Sequence, residues 1–211
     1  MIITYLGKQF FKIQQGDLVI AFNPVSKDSK IGSKSKFGAN IALVTTNHPD
    51  FNGADSLSYG ETIPFIINGA GDYEIKGIFI KGIGTECILD DKKYINTIYS
   101  LVVDGISICF LGAISSKNIS NEVIEAVGTP DVLFVPIGNK GVLDPMDAYK
   151  VSLNFEPKII IPMDYGDDKQ KDALKIFLKE GGSEKITSID KLTLKRKDLE
   201  GKEADIVVLD Y

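Results

Sequence analysis

Val44-Thr45-Thr46-Asn47-His48-Pro49-Asp50-Phe51-Asn52 follows directly on an apolar run that begins after Asn40. It holds the single histidine of the 211-residue chain, two positions before a carboxylate. The run predicts a short buried strand, Ile41 to Val44, that gives way to a loop. Residues i and i+2 of an extended segment share a face, so His48 and Asp50 are predicted to look into one pocket. Loops at strand ends on a rigid scaffold are common places for chemistry.

Upstream, Ile2 to Leu6, Phe10 to Ile13 and Leu18 to Phe22 are rich in β-branched and aromatic residues. Gly7-Lys8 and Gln15-Gly16-Asp17 separate them, a pattern that predicts an antiparallel meander. Asn23-Pro24 ends it, because the residue before proline is driven to extended or turn geometry. Ser26 to Lys36 is polar and without period, and is expected to form a surface loop near the mouth of the site. Downstream, strands are expected at Pro64 to Ile67, Asp72 to Ile75, Ile78 to Ile83, Tyr94 to Val103 and Ile106 to Leu111. Asp104-Gly105 favours a type I′ hairpin.

Beyond Leu111 the period changes. Ile119, Val123, Ile124 and Val127 recur at helical spacing and stop at Gly128. Asp144-Pro145-Met146-Asp147 starts a second helix, with an N-cap acid and proline at N1, that runs to Asn154. Asp168 to Lys179 is expected to form a third. Between and after them lie the strands Asp131 to Pro136, Lys158 to Pro162 and Asp205 to Leu209. Strands alternating with helices imply crossover units. No linker or repeat divides the chain, so one domain over residues 1–211 is expected, with two packed halves, roughly 1–105 and 106–211.

The net charge of −5 argues against a nucleic-acid partner, since a phosphate backbone is held by clustered Lys and Arg. The one basic run, Lys191 to Lys197, is interrupted by Leu192, Thr193 and Leu194 and is expected to be a solvated strand or turn. Apolar runs fall far short of the ~20 residues of a membrane helix, and no leader pattern opens the sequence. No membrane partner is expected. Cys87 and Cys109 then fit free thiols in the cytoplasm. Asn68-Gly69-Ala70-Gly71 leads into a strand, which marks a tight turn rather than a dinucleotide site. An anion could sit near Gly138-Asn139-Lys140-Gly141, although acids already occupy the start of the helix that follows.

In order and spacing these segments resemble the metallo-β-lactamase superfamily, specifically its small Zn-dependent hydrolase-like branch. The resemblance is carried by Ile3-Thr4-Tyr5-Leu6-Gly7, Val44-Thr45 with the loop after it, and Gly69-Ala70-Gly71-Asp72-Tyr73-Glu74-Ile75. Asn96-Thr97-Ile98-Tyr99, Leu111-Gly112, Asp131 to Gly138 and Lys158 to Met163 continue it. It implies an α/β (α+β) fold, a four-layer αββα sandwich with a metal site at one edge. It also implies two zinc ions that bridge a hydroxide, since bound zinc lowers the pKa of water to about 7.

Position by position, the resemblance puts the superfamily's metal ligands on Thr46, His48, Asp50, Phe51, Cys87, Ala113 and Asp164. Of these, His48 and Asp50 keep the superfamily's residue. A catalytic zinc needs three good ligands and an open position, so no metal cofactor is expected. Zinc is retained as an alternative, with one ion on His48, Asp50, Cys87 and Asp164. In their structural roles His48 is a structural histidine or N-cap element, Asp50 caps a helix starting near Asn52, and Cys87 is a small core residue. A Cys87–His48 thiolate pair is a further alternative. The expected function is a degenerate, non-catalytic member that binds a small molecule or protein in the former active-site cleft, or acts through a homo-oligomer interface. The runner-up is a single-metal hydrolase of a phosphoester, lactone or similar small substrate.

Overall fold

The structure is a computed structural model and describes residues 1–31, 37–166 and 172–211. Ile2–Tyr5 (β1), Phe11–Gln15 (β2) and Leu18–Phe22 (β3) form the expected meander, with Ile3 opposite Ile13 and Ile13 opposite Ile20. Ile41–Leu43 (β4) and Phe65–Ile67 (β5) then add in parallel. The second sheet begins with the antiparallel strands Gly71–Ile75 (β6), Ile78–Leu89 (β7), Lys92–Val103 (β8) and Ile106–Phe110 (β9). Val132–Pro136 (β10) and Ile159–Met163 (β11) continue it in parallel. Leu192–Thr193 (β12) returns to pair with β1, and Asp205–Ile206 (β13) closes the second sheet beside β11. The orders are β12-β1-β2-β3-β4-β5 and β13-β11-β10-β9-β8-β7-β6.

The sheets therefore divide between residues 67 and 71 rather than near residue 105, because hairpins hand β6 to β9 directly to the second sheet. Asn121–Val127 (α1) and Pro145–Leu153 (α2) are the crossovers flanking β10, and Ala173–Glu180 (α3) packs on α2. Asp168 to Lys171, expected in that last helix, lie outside the described residues, as do residues 32–36 of the polar loop. The helix expected near Asn52 is instead a short 3-10 turn, Ala54–Leu57. Among the described residues no helix is long and apolar enough to cross a membrane.

Alternation along the strands sorts the core. Ile20, Phe22, Ile41 and Leu43 enter the layer between the sheets, whereas Ala21 and Ala42 face outward under Phe10, Val25 and Leu57. Phe22 stacks on Phe110 at 4.6 Å, and Phe11 meets Phe134 edge-on at 4.8 Å, so aromatic pairs join the two sheets. The hydroxyl of Tyr99, buried in β8, reaches the carbonyls of Val44 and Ile67 at 3.0 and 3.2 Å. It pins the ends of β4 and β5 to the opposite sheet. The result is the αββα sandwich, thinly covered on the first sheet.

Far from those strand ends, Asp131 ties the base of the second sheet together. Its carboxylate accepts from the Ser107 N–H and hydroxyl, and from Lys158 and Arg196 at 2.8 and 2.9 Å. Burial pushes its carboxyl up, but Lys158 and Ser107 more than offset this and hold it below the ordinary value. A depressed carboxyl pKa contributes stability that is present above the unfolded value of about 3.9 and is lost as pH falls through the folded one. Asp131→Ala is expected to cost about 1–3 kcal/mol, measured by urea denaturation at neutral pH. The gap between variant and parent should narrow as the pH is taken below about 4.

Candidate functional site

The opening stretch leaves β4 and turns at once. The His48 N–H bonds the Thr46 carbonyl at 2.8 Å, and the Phe51 N–H bonds that of His48 at 2.8 Å. The segment is thus coiled rather than extended, because two consecutive tight turns replace the strand geometry. His48 and Asp50 nevertheless line one cleft of about 680 Å³, together with Lys8, Asp90, Ser115 and Lys140. The His48 ring is wedged edge-on against Tyr94 at 5.6 Å. Its Nδ1 accepts the Asp50 N–H at 3.2 Å, which leaves the proton on Nε2, 3.3 Å from Asp90 Oδ2. Asp50 accepts from the Ser29 hydroxyl at 2.6 Å and does not cap the 3-10 turn. The 3-10 turn starts after Gly53, which lies so close to Val25 that a Cβ would come within 2.2 Å of its carbonyl oxygen. That contact, not a side-chain cap, sets where the turn begins.

Asp90 was not a sequence candidate. The hairpin β7–β8 runs six residues further along β7 than expected, past the charges that obscure its alternation, to a two-residue turn at Asp90-Asp91. Both aspartates have positive φ, 48° and 60°, a conformation that Asp tolerates better than most residues. The type I′ signal carries Asp here in place of glycine. Gly141 lies against the hairpin, where a Cβ would be 2.5 Å from the Ile88 carbonyl oxygen.

Behind the cleft, Phe51, Cys87, Leu89, Ala113 and Val142 form a closed apolar cluster. Burial pushes the Cys87 thiol up, so it stays protonated at neutral pH. Its polar neighbour is the Thr46 hydroxyl at 4.0 Å, not His48. The thiolate–imidazole pair is not formed. Cys109, in β9, is fully buried.

Thr46 donates to Asn96 Oδ1 at 3.3 Å, and that same oxygen accepts the Ala113 N–H at 2.8 Å. Asn96 donates in turn to the Thr85 hydroxyl and the Leu111 carbonyl, both at 3.0 Å. Alongside runs a second buried amide chain. Asn23 exchanges bonds with Thr45 and donates to Gln9 at 3.0 Å, and Gln9 donates to Asp164 at 3.3 Å. Asp164 is paired with Lys8 at 2.7 Å. The two amides of α2 nearest the glycine-rich turn already bond Asp144 at 3.0 and 3.1 Å, so they hold a side chain rather than a free anion.

Among the described residues no three His, Cys, Asp or Glu side chains converge as a metal-binding group. His48, Asp50, Cys87 and Asp164 are distributed over Asp90, Ser29, Thr46 and Lys8 instead. A phenyl ring and a methyl at positions 51 and 113 offer no donor atom, so the full donor set of a dinuclear zinc centre is not present.

A sandwich with a cleft at the strand ends is the architecture of the metallo-β-lactamases. The sequence profile described as "Beta-lactamase superfamily domain" matches residues 2–164, and the chain belongs to that family. A candidate Zn-dependent hydrolase of the metallo-β-lactamase superfamily from Thermotoga maritima superposes with a TM-score of 0.76 at 25% identity, over 99% of this chain and 97% of its own. A candidate metal-dependent hydrolase from Parabacteroides distasonis gives 0.65 at 16% identity, over 99% and 93%. Igni18, a metallo hydrolase from Ignicoccus hospitalis, gives 0.60 at 18%, over 92% and 99%. No curated protein matches the sequence.

Two outcomes check this geometry. In the native protein at neutral pH, iodoacetamide should label Cys87 as slowly as Cys109, with both reacting quickly once urea is added. Asn96→Ala should cost about 2–4 kcal/mol in urea denaturation, since it strands several buried partners at once.

Proposed function

We propose that this protein is a non-catalytic member of the superfamily that binds a small molecule or a protein segment in its cleft without a dinuclear zinc centre. The observation that supports this reading is the closed apolar cluster of Phe51, Cys87 and Ala113 along the cleft. It stands at three positions where the resemblance places metal ligands, and two of the three side chains, those of Phe51 and Ala113, carry no donor atom. The cleft itself remains, with a volume of about 680 Å³, in the range of small-molecule sites. Its rim carries His48, Asp50, Asp90 and Lys140, groups able to orient a polar ligand.

Hydrolysis and metal dependence belong to the names of the neighbours. Their carry-over to this chain needs a complete donor set, and Phe51 and Ala113 supply no donor atom at two of its positions. Two buried free thiols accord with a reducing cytoplasm. Elemental analysis of protein purified without chelator, after growth in zinc-supplemented medium, should find zinc well below one equivalent per chain. Near-stoichiometric zinc that disappears in His48→Ala would instead overturn the metal-free reading. A panel of phosphodiesters and lactones with added Zn²⁺ or Mn²⁺ should show no turnover that a chelator abolishes.

A further inference from the structure

Asp164 lies at the end of β11 with its side chain 1% exposed. Its φ of 66° is left-handed, a conformation that a non-glycine residue keeps when its surroundings over-determine it. Here they do. The Asp164 N–H is 2.6 Å from the Lys8 carbonyl and 3.1 Å from the Tyr5 hydroxyl, and Oδ2 accepts from Gln9. Gly138 packs so tightly that a Cβ would lie 2.9 Å from Asp164 Cγ. The Lys8 ammonium, from the β1–β2 turn, completes the cage 2.7 Å from Oδ1. Lys8 also lines the cleft, so its side chain bridges the buried carboxylate and the open space. A carboxylate taken out of water is costly unless a positive charge compensates it.

We propose that the Lys8 ammonium is a built-in cation that takes the place of a divalent metal ion at Asp164, where the resemblance puts the superfamily's late ligand. The inference rests on the metal-free reading of the cleft and adds a cause to it. An ammonium on a short turn is covalently present at every moment, so Asp164 has its compensating charge without any ion from solution. It also brings a positive charge to the cleft edge with no open coordination position, which removes the Lewis acid while keeping part of its field.

The test is a thermal-denaturation cycle of the parent, Lys8→Met, Asp164→Asn and the double variant, each in EDTA and in millimolar Mn²⁺. The parent Tm should respond to neither additive. Lys8→Met should lose about 5–10 °C, and Mn²⁺ should raise its Tm, because an ion that binds only the native state stabilises it. The double variant should recover at least half of the loss and ignore Mn²⁺. Lys8→Arg, which keeps the charge, should stay close to the parent and carries the test if Lys8→Met does not fold. Equal losses in Lys8→Met and the double variant, or a loss in Lys8→Arg as large as in Lys8→Met, overturns the proposal. A Mn²⁺ response of the parent as large as that of Lys8→Met overturns it as well. A zinc-free parent with a flat cycle sinks this inference alone, whereas zinc in the purified parent sinks the reading of the cleft beneath it.

Discussion

The cleft depends on one buried amide. Asn96 is fully buried and uses both donors and both acceptor positions of its side chain, on Thr85, Leu111, Ala113 and Thr46. Those partners belong to β7, the end of β9 and the loop that leaves β4, so a single side chain fixes three borders of the site. Gly112 shows how tight the join is. At its φ of 65°, a Cβ would lie 2.4 Å from Asn96 Oδ1. A buried polar network of this kind is favourable only when every member is satisfied. The Asn23–Gln9 chain repeats that logic on the other side and ends at the ion pair of Asp164 with Lys8.

Much of the architecture was legible because it rests on local pattern. The β3 bounds, the Asp104-Gly105 turn, the Gly128 stop and the Asp144 cap are each set by residues within a few positions of one another. Three features were not. The far half of the β7–β8 hairpin is masked by Glu86, Lys92 and Lys93, charges tolerated there because each is exposed near the hairpin tip. The 3-10 turn after Gly53 is set by a backbone contact with Val25 that no sequence period carries. The basic run Lys191 to Lys197, expected to be a solvated strand or turn, does hold the short strand β12, but its pairing with the distant β1 was not legible.

The structure gathers some of the positions singled out in the sequence and disperses others. His48, Asp50 and Phe51 do border one cleft, although they reach it through turns rather than an extended face. Cys87 and Ala113 join Phe51 in an apolar cluster. Groups that line or brace the cleft were missed: Asn96, Gln9, Lys8 and Asp90. Amides and lysines are ordinary surface residues, and their burial here follows from tertiary approach across long sequence separations. The strand pattern Tyr94-Ile95-Asn96-Thr97-Ile98-Tyr99 held the one available signal, a polar pair at inward positions of an otherwise apolar strand.

The return of β12 to β1 also sets an order of events in folding. Ile2 pairs with Thr193 and Ile3 with Leu192, so this edge of the first sheet waits for almost the whole intervening chain. Until then β1 presents unpaired backbone, the kind of edge that recruits other strands. Contacts of such separation slow folding, because loop closure precedes any return from the contact itself. A nascent chain emerging in sequence order therefore holds the first meander with one flank uncovered while the second sheet is still being made. The interval between the two is the period in which a chaperone has most to offer this protein.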